Sequence, residues 1–327
     1  MSTLPVSALS VCSGILTSCH LAAELAGLEE VISFNGFVEN DKFKHQFIKS
    51  KIESGEVEGY LFSDLKKYAP RPQYDRIIVG GTPCTDTSIA NPYRKGFKGE
   101  HSSLWLNFYK LVSQTMPRII VWENPAGCRF PCESEISPLG EVVGSLASLG
   151  YNVQWTTLTG REPGIKQPHR RERVFVFAYP NGIRGLDYEK VPLWDRSLRG
   201  CLATLQERIK GSNDSGIQSL VDGHQGELDL RERLDSVIGS WWKKNPFKGR
   251  VFTSANSVKD RINRNRSIGD ACSVPEAALA LLFVSKLIQW QSTCDTLDEQ
   301  LMLRLSVQRR LEPGNTLGKP QQIKKAN

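Results

Sequence analysis

The chain has little that would place it outside an aqueous compartment. No basic segment precedes an apolar core at the N-terminus, so no secretory leader is expected. The longest apolar run, AALALLFV at residues 277–284, is far too short to cross a bilayer. Internal repeats and low-complexity tracts are lacking, which excludes solenoid arrays and biased linkers. No G-x-G-x-x-G turn follows an apolar run, which disfavours a nicotinamide cofactor. Cys128 and Cys132 are spaced like half of a zinc site, but no second Cys/His pair follows at suitable distance, so no metal is expected. The eight cysteines are irregularly spaced in a chain long enough to need no covalent staples. Reduced thiols and a cytoplasmic location are expected.

What remains is an ordinary globular composition over 327 residues, enough for one large domain with an insertion or for two domains. The net charge of +7 permits a nucleic-acid partner without requiring one. Apolar runs alternate with helical patterns. VSALSVCSGI reads as a strand entering a turn, and TSCHLAAELAGL as a helix closed by Gly27. FNGFVEND, DRIIVGG, RIIVWENP and RERVFVFAYP read as further strands. This pattern predicts an α/β sheet with helices on both faces. Residues 181–250 hold many glycines and charges and no strong periodicity. Regularity returns at GDACSVPEAALALLFVSKLIQW, where Pro275 suits a first helical turn.

Four stretches at predicted strand ends carry chemistry, and strand ends are where open α/β sheets bind ligands. CSGI after the first strand gives a turn that a ligand could approach. Glu39 ends the second strand and could accept from two ribose hydroxyls, or simply be solvated. Asp64 in FSDL could accept from an exocyclic amine, or cap a turn. Together these three suit an adenosyl ligand. The fourth is a reactive set. Gly80-Gly81-Thr82-Pro83 presents Cys84, and Glu123 ends so apolar a run that its carboxyl should titrate high. HRRER at 169–173 brings arginines against a buried strand, suited to bidentate recognition of oxygens or to a surface ion-pair cluster.

These residues resemble those of the DNA (cytosine-5)-methyltransferases. GGTPCTDTS is similar to the family's Pro-Cys loop, WENPAG to its Glu-Asn-Val segment, and QPHRRERVF to its Gln-x-Arg-x-Arg segment. CSGI is similar to its S-adenosylmethionine loop and SIGDACSVPEA to its late Gly-Asn-Ala-Val-Pro segment. The likeness covers residues 9–178 and 260–290 in family order. GGTPCTDTSIANPYRKG is particularly similar to the catalytic loop of animal de novo DNA methyltransferases. The short variable region is more like compact bacterial and phage enzymes.

The resemblance implies a Rossmann-like methyltransferase sheet plus a small irregular target-recognition domain. It places a catalytic domain at 1–179, target recognition at 180–262, a return to the catalytic domain at 263–292 and a C-terminal extension at 293–327. It implies methyl transfer from S-adenosylmethionine to cytosine C5 in double-stranded DNA, with Cys84 adding to C6 of a flipped base. Glu123 would serve N3 and the 4-amino group, Arg173 would hold O2, and Arg171 would support the loop and a phosphate. Cofactor contacts would come from Cys12, Ser13, Gly14, Ile15, Glu39, Asn40, Asp64, Leu65, Gly81, Pro83, Leu104, Asp270 and Ala271. DNA contacts would come from Ser88, Asn91, Arg94 and Lys95 in a closing loop, and from Arg250, Arg261 and Arg264, with Lys259 and Arg266 as further phosphate contacts. No obligate protein partner is implied. Departures from the family pattern are Cys12, Leu16, Pro125, His169 and Asp270, the last replacing asparagine. An RNA cytosine methyltransferase on this scaffold, or a weakly active DNA-binding protein, would carry a similar frame.

Overall fold

A computed structural model describes residues 4–82, 104–131, 136–160, 171–211, 263, 266–267 and 270–294. Seven strands form one sheet: β1 (Val6–Val11), β2 (Ile32–Val38), β3 (Tyr60–Phe62), β4 (Ile77–Gly80), β5 (Ile119–Pro125), β6 (Tyr151–Thr159) and β7 (Glu172–Pro180). Their order is β3-β2-β1-β4-β5-β7-β6. The first five are mutually parallel, and β7 is inserted antiparallel between β5 and β6. Among the described residues six α-helices accompany them: α1 (His20–Ala26), α2 (Lys42–Glu53), α3 (Leu104–Thr115), α4 (Pro138–Ser148), α5 (Trp194–Gly211) and α6 (Val274–Gln291).

The central strands are buried on both sides, so they read as continuous apolar runs. Ala8, Val79, Val121, Phe175 and Phe177 point into one core, with α1, α2, α5 and α6. Leu9, Ile78, Ile120, Trp122, Val174 and Val176 point into the other, with α3 and α4. The expected α/β arrangement with helices on both faces is therefore present. Local chemistry sets the helix ends. Gly27 closes α1 at φ 66, where its N–H reaches back to the Ala23 and Glu24 carbonyls. Asp41 caps α2 by accepting from the Phe43 and Lys44 amides. Ser137 caps α4 through the Gly140 amide, with Pro138 in the first turn.

One stretch differs from the sequence reading. Residues 181–250 were expected to be irregular, yet 194–211 form an 18-residue helix that packs into the main core. Trp194 stacks on Phe177 at 5.2 Å and meets Phe283 edge-on at 5.2 Å, fixing α5 between β7 and α6. Its apolar contacts fall at Trp194, Leu198, Cys201, Leu202 and Leu205, a helical repeat set among charges. The three-residue edge strand β3 was not foreseen either; it is too short to show periodicity.

Candidate active site

Strand order reverses between β1 and β4, and crevices for ligands open at such a reversal beyond the carboxyl ends of the strands. After β1 the chain turns through Cys12 (φ 54), Gly14 (φ 59) and Leu16 (φ 67). Left-handed backbone is unusual for Cys12 and Leu16, and it compresses the turn. Buried Ser13 ties the turn to β2: its hydroxyl accepts from the Val38 amide at 3.2 Å, and its amide donates to the Val38 carbonyl at 3.1 Å. Ile15 is buried behind the turn. A Cβ added at Gly14 would meet nothing closer than 4.0 Å, so the space above the turn is open.

Glu39 leaves β2 at the same edge and is 7% exposed. One carboxylate oxygen accepts from the Gly14 amide at 2.7 Å and the other from the Asp41 amide at 2.9 Å. Burial raises its pKa, opposed by those two N–H groups. Each oxygen keeps acceptor capacity beyond one backbone bond. The Asn40 amide donates to the Ser63 carbonyl at 3.1 Å, tying the ends of β2 and β3 together. Asp64 caps the short turn at 65–67 by accepting from the Lys66 amide at 2.9 Å. Leu65 is buried in the core on which Cys12 and Leu104 also pack. Residues from three strand ends and the start of α3 thus converge on one edge. An open glycine turn, a buried acid and an apolar floor form a donor set that fits an adenosyl ligand.

The end of β4 lies next in the sheet. A Cβ on Gly81 would come within 2.7 Å of Glu123 Oε2 and 2.8 Å of the Glu123 carbonyl oxygen. Only glycine allows this approach, because a backbone atom cannot swing away. Gly81→Ala is therefore expected to displace Glu123 and to lower any activity by roughly 100-fold. A thermal melt shifted by only a few degrees alongside unchanged turnover would contradict this. Thr82 is buried and clamped from β5. Its hydroxyl accepts from Trp122 Nε1 at 3.2 Å, and its carbonyl from Asn124 Nδ2 at 3.0 Å. Asn124→Ala leaves that buried carbonyl without this donor and is expected to destabilise by about 1–3 kcal/mol. Denaturant titration of the variant measures this. Pro83 and Cys84 follow directly and lie outside the described residues, as do Ser88, Asn91, Arg94, Lys95, Arg250, Lys259, Arg261, Arg264 and His169.

Glu123 sits near the end of β5. Antiparallel pairing sets Pro125 opposite Arg173, so the start of β7 arrives beside the end of β5. Arg173 Nε lies 2.6 Å from Glu123 Oε1, with side-chain exposures of 4% and 14%. This close approach combines charge attraction with hydrogen bonding, and both favour the carboxylate. Burial raises the Glu123 pKa, and Arg173 and Arg171 only partly offset it. Arg171 Nη1 donates to the Ala271 carbonyl at 3.2 Å, tying β7 to the segment that enters α6. Asp270, next in that segment, pairs with Lys44 Nζ at 2.8 Å. Arg266 Nε stands 4.0 Å from the same carboxylate. Among the described residues no group of His, Cys, Asp and Glu could hold a metal ion, and no helix is long and apolar enough to cross a membrane.

The family model for C-5 cytosine-specific DNA methylases matches residues 7–266 of this sequence. The chain belongs to the C-5 cytosine-specific DNA methylase family. The type II methyltransferase M.Sau3AI of Staphylococcus aureus is 31% identical over 117 residues, 35% of this chain and 27% of that protein. M.BsuRI of Bacillus subtilis is 29% identical over 195 residues, 52% of this chain and 42% of that protein. The orphan methyltransferase M.Rho11sI of Bacillus phage rho11s is 29% identical over 144 residues, 43% of this chain and 27% of that protein. The chain thus spans less than half the length of each of these relatives. A solved DNMT2 mutant from Spodoptera frugiperda superposes with TM-score 0.49 at 13% identity, covering 85% of this chain and 99% of that one.

The candidate site also contains residues whose part in it the sequence reading passed over. Thr82, Trp122 and Asn124 hold the chain ahead of Cys84. Each lies inside a motif already singled out, and the adjacency of Asn124 to Glu123 was the available signal. Cys272 is buried close to Glu123 and Glu276, and burial with those two carboxylates holds its thiol firmly protonated.

Proposed function

We propose that this chain transfers a methyl group from S-adenosylmethionine to C5 of cytosine in double-stranded DNA, through a covalent adduct with Cys84. The observation that carries the reading is the buried acid Glu123, paired with Arg173 of β7 and packed against Gly81, three residues before Cys84.

Cytosine C5 is a weak nucleophile until a group adds at C6. The Cys84 thiolate supplies that addition. The raised pKa of Glu123 suits a carboxyl that gives its proton, or a hydrogen bond, to N3 as the sulfur–carbon bond forms. Arg173, already engaged with Glu123, would hold O2, and Arg171 would brace the strand start. When bound, S-adenosylmethionine supplies an electrophilic methyl group, and the turn at Cys12–Ile15 with Glu39, Asp64, Leu65 and Leu104 would hold it. Loss of the C5 proton and cleavage of the C6–S bond then return the thiolate. The target must leave the base stack to reach these groups. Target recognition would fall to residues within 180–262 that follow α5, since α5 itself is spent on the core. The net charge of +7 supports a polyanionic partner.

The test is nucleoside mass analysis of DNA and RNA from a host that makes no 5-methylcytosine of its own. Expression of the chain is expected to produce 5-methyldeoxycytidine in DNA. Methylation confined to RNA, or none in either pool, would overturn the proposal.

A further inference from the structure

Lys44 and Asp270 are 226 residues apart, yet their side chains meet at 2.8 Å. Lys44 is 12% exposed although it carries a charge. Its backbone is fixed, because its amide donates to the Asp41 cap at 3.1 Å. The next residue, His45, places Nδ1 3.0 Å from the Glu39 carbonyl oxygen. Glu39 in turn holds Gly14 and Asp41. The Lys44 ammonium therefore stands on the segment that shapes the edge beside β1 and β2. It lies close enough to Glu39 and Cys12 to favour their charged forms.

Asp270 is joined to Ala271, whose carbonyl accepts from Arg171. The 270–271 dipeptide is thus held from two sides, by Lys44 of α2 and by Arg171 beside the Glu123–Arg173 pair. Asp270 is also where this chain departs from its family, with a carboxylate in place of an asparagine amide. The Asp270 carboxylate is 53% exposed, and Lys44 at 2.8 Å is the nearer of two cations, Arg266 standing at 4.0 Å.

We propose that Lys44 is a positioning residue that neutralises Asp270 and clamps the 270–271 segment across the cofactor crevice, coupling that crevice to Arg171. This rests on the reading of the crevice as an S-adenosylmethionine site. Lys44 need not touch the cofactor; it sets the position of the segment that would.

The experiment is calorimetric titration of the purified full chain with S-adenosylhomocysteine, the demethylated product, whose binding is read without turnover. Lys44→Met removes the nearer cation and the tether from α2 to Asp270, and is expected to weaken binding roughly threefold. Asp270→Asn added to Lys44→Met is expected to recover most of that loss, because an amide needs no cation. Lys44→Arg, which keeps the charge, is expected to bind more tightly than Lys44→Met. A thermal melt of each variant separates local from global effects, since lost folding would not be repaired by Asp270→Asn. Equal binding by wild type and Lys44→Met overturns the proposal. So does a double variant as weak as Lys44→Met. A wild-type chain that binds no S-adenosylhomocysteine overturns the cofactor reading itself, and this inference with it.

Discussion

Replacing Cys84 with serine is expected to abolish methylation, lowering turnover by roughly four orders of magnitude or more. The reason is chemical rather than steric. A thiol near pKa ~8.5 has an accessible thiolate, whereas a serine hydroxyl does not ionise at neutral pH. Serine is also the closest match in size, so the variant should fold as the parent does. The residues just before it are held in place. Gly80 ends β4 and Gly81 packs against Glu123 without a side chain. Thr82 is then held by both Trp122 and Asn124. Three consecutive residues are thus constrained before the chain reaches Pro83 and Cys84. The check is incorporation of labelled methyl groups into DNA by purified wild type and variant, with matched thermal melts. Comparable incorporation by both would remove Cys84 from the mechanism.

Legibility in the sequence followed the physics of each element. The parallel strands were readable because burial on both faces leaves uninterrupted apolar runs, as in IIVW of β5. Helix α6 was readable for the same reason, being apolar on nearly every side. Helix α5 was not. Only one stripe of it is buried, and Asp195, Arg196, Arg199 and Glu207 fill the remaining turns. Glu123 stood out as the first ionisable residue after an apolar run. Its meeting with Arg173 could not be read from periodicity, because it depends on β7 entering antiparallel between β5 and β6. That placement came only through family resemblance. Lys44 left no trace at all. It sits in a basic helix among other lysines, and its partner is brought to it by the closure of the whole fold.

Glu123→Gln is expected to lower kcat by roughly 100- to 10,000-fold while leaving the chain folded. Glutamine preserves the shape and can still donate a hydrogen bond to N3, but it cannot deliver a proton. The pH dependence distinguishes these two roles. Burial raises the Glu123 pKa, with Arg173 and Arg171 opposing it. The protonated acid therefore persists above the usual carboxylate range, and activity should fall as pH rises through that raised value. The thiolate requirement of Cys84 acts in the other direction, so activity should rise as the thiol ionises. Wild-type kcat/KM should accordingly show both limbs, and Glu123→Gln should lose only the limb that falls at higher pH. Stability carries the same signature. A carboxyl whose folded pKa lies above its unfolded value of about 4.3 adds stability below that pH and loses it as pH climbs through the folded value. Wild type should therefore become less stable relative to Glu123→Gln across that interval. Denaturant titrations of both proteins at stepped pH read the difference. A difference that grows in favour of wild type as pH rises would mean that Arg173 outweighs burial and that Glu123 acts as an anion.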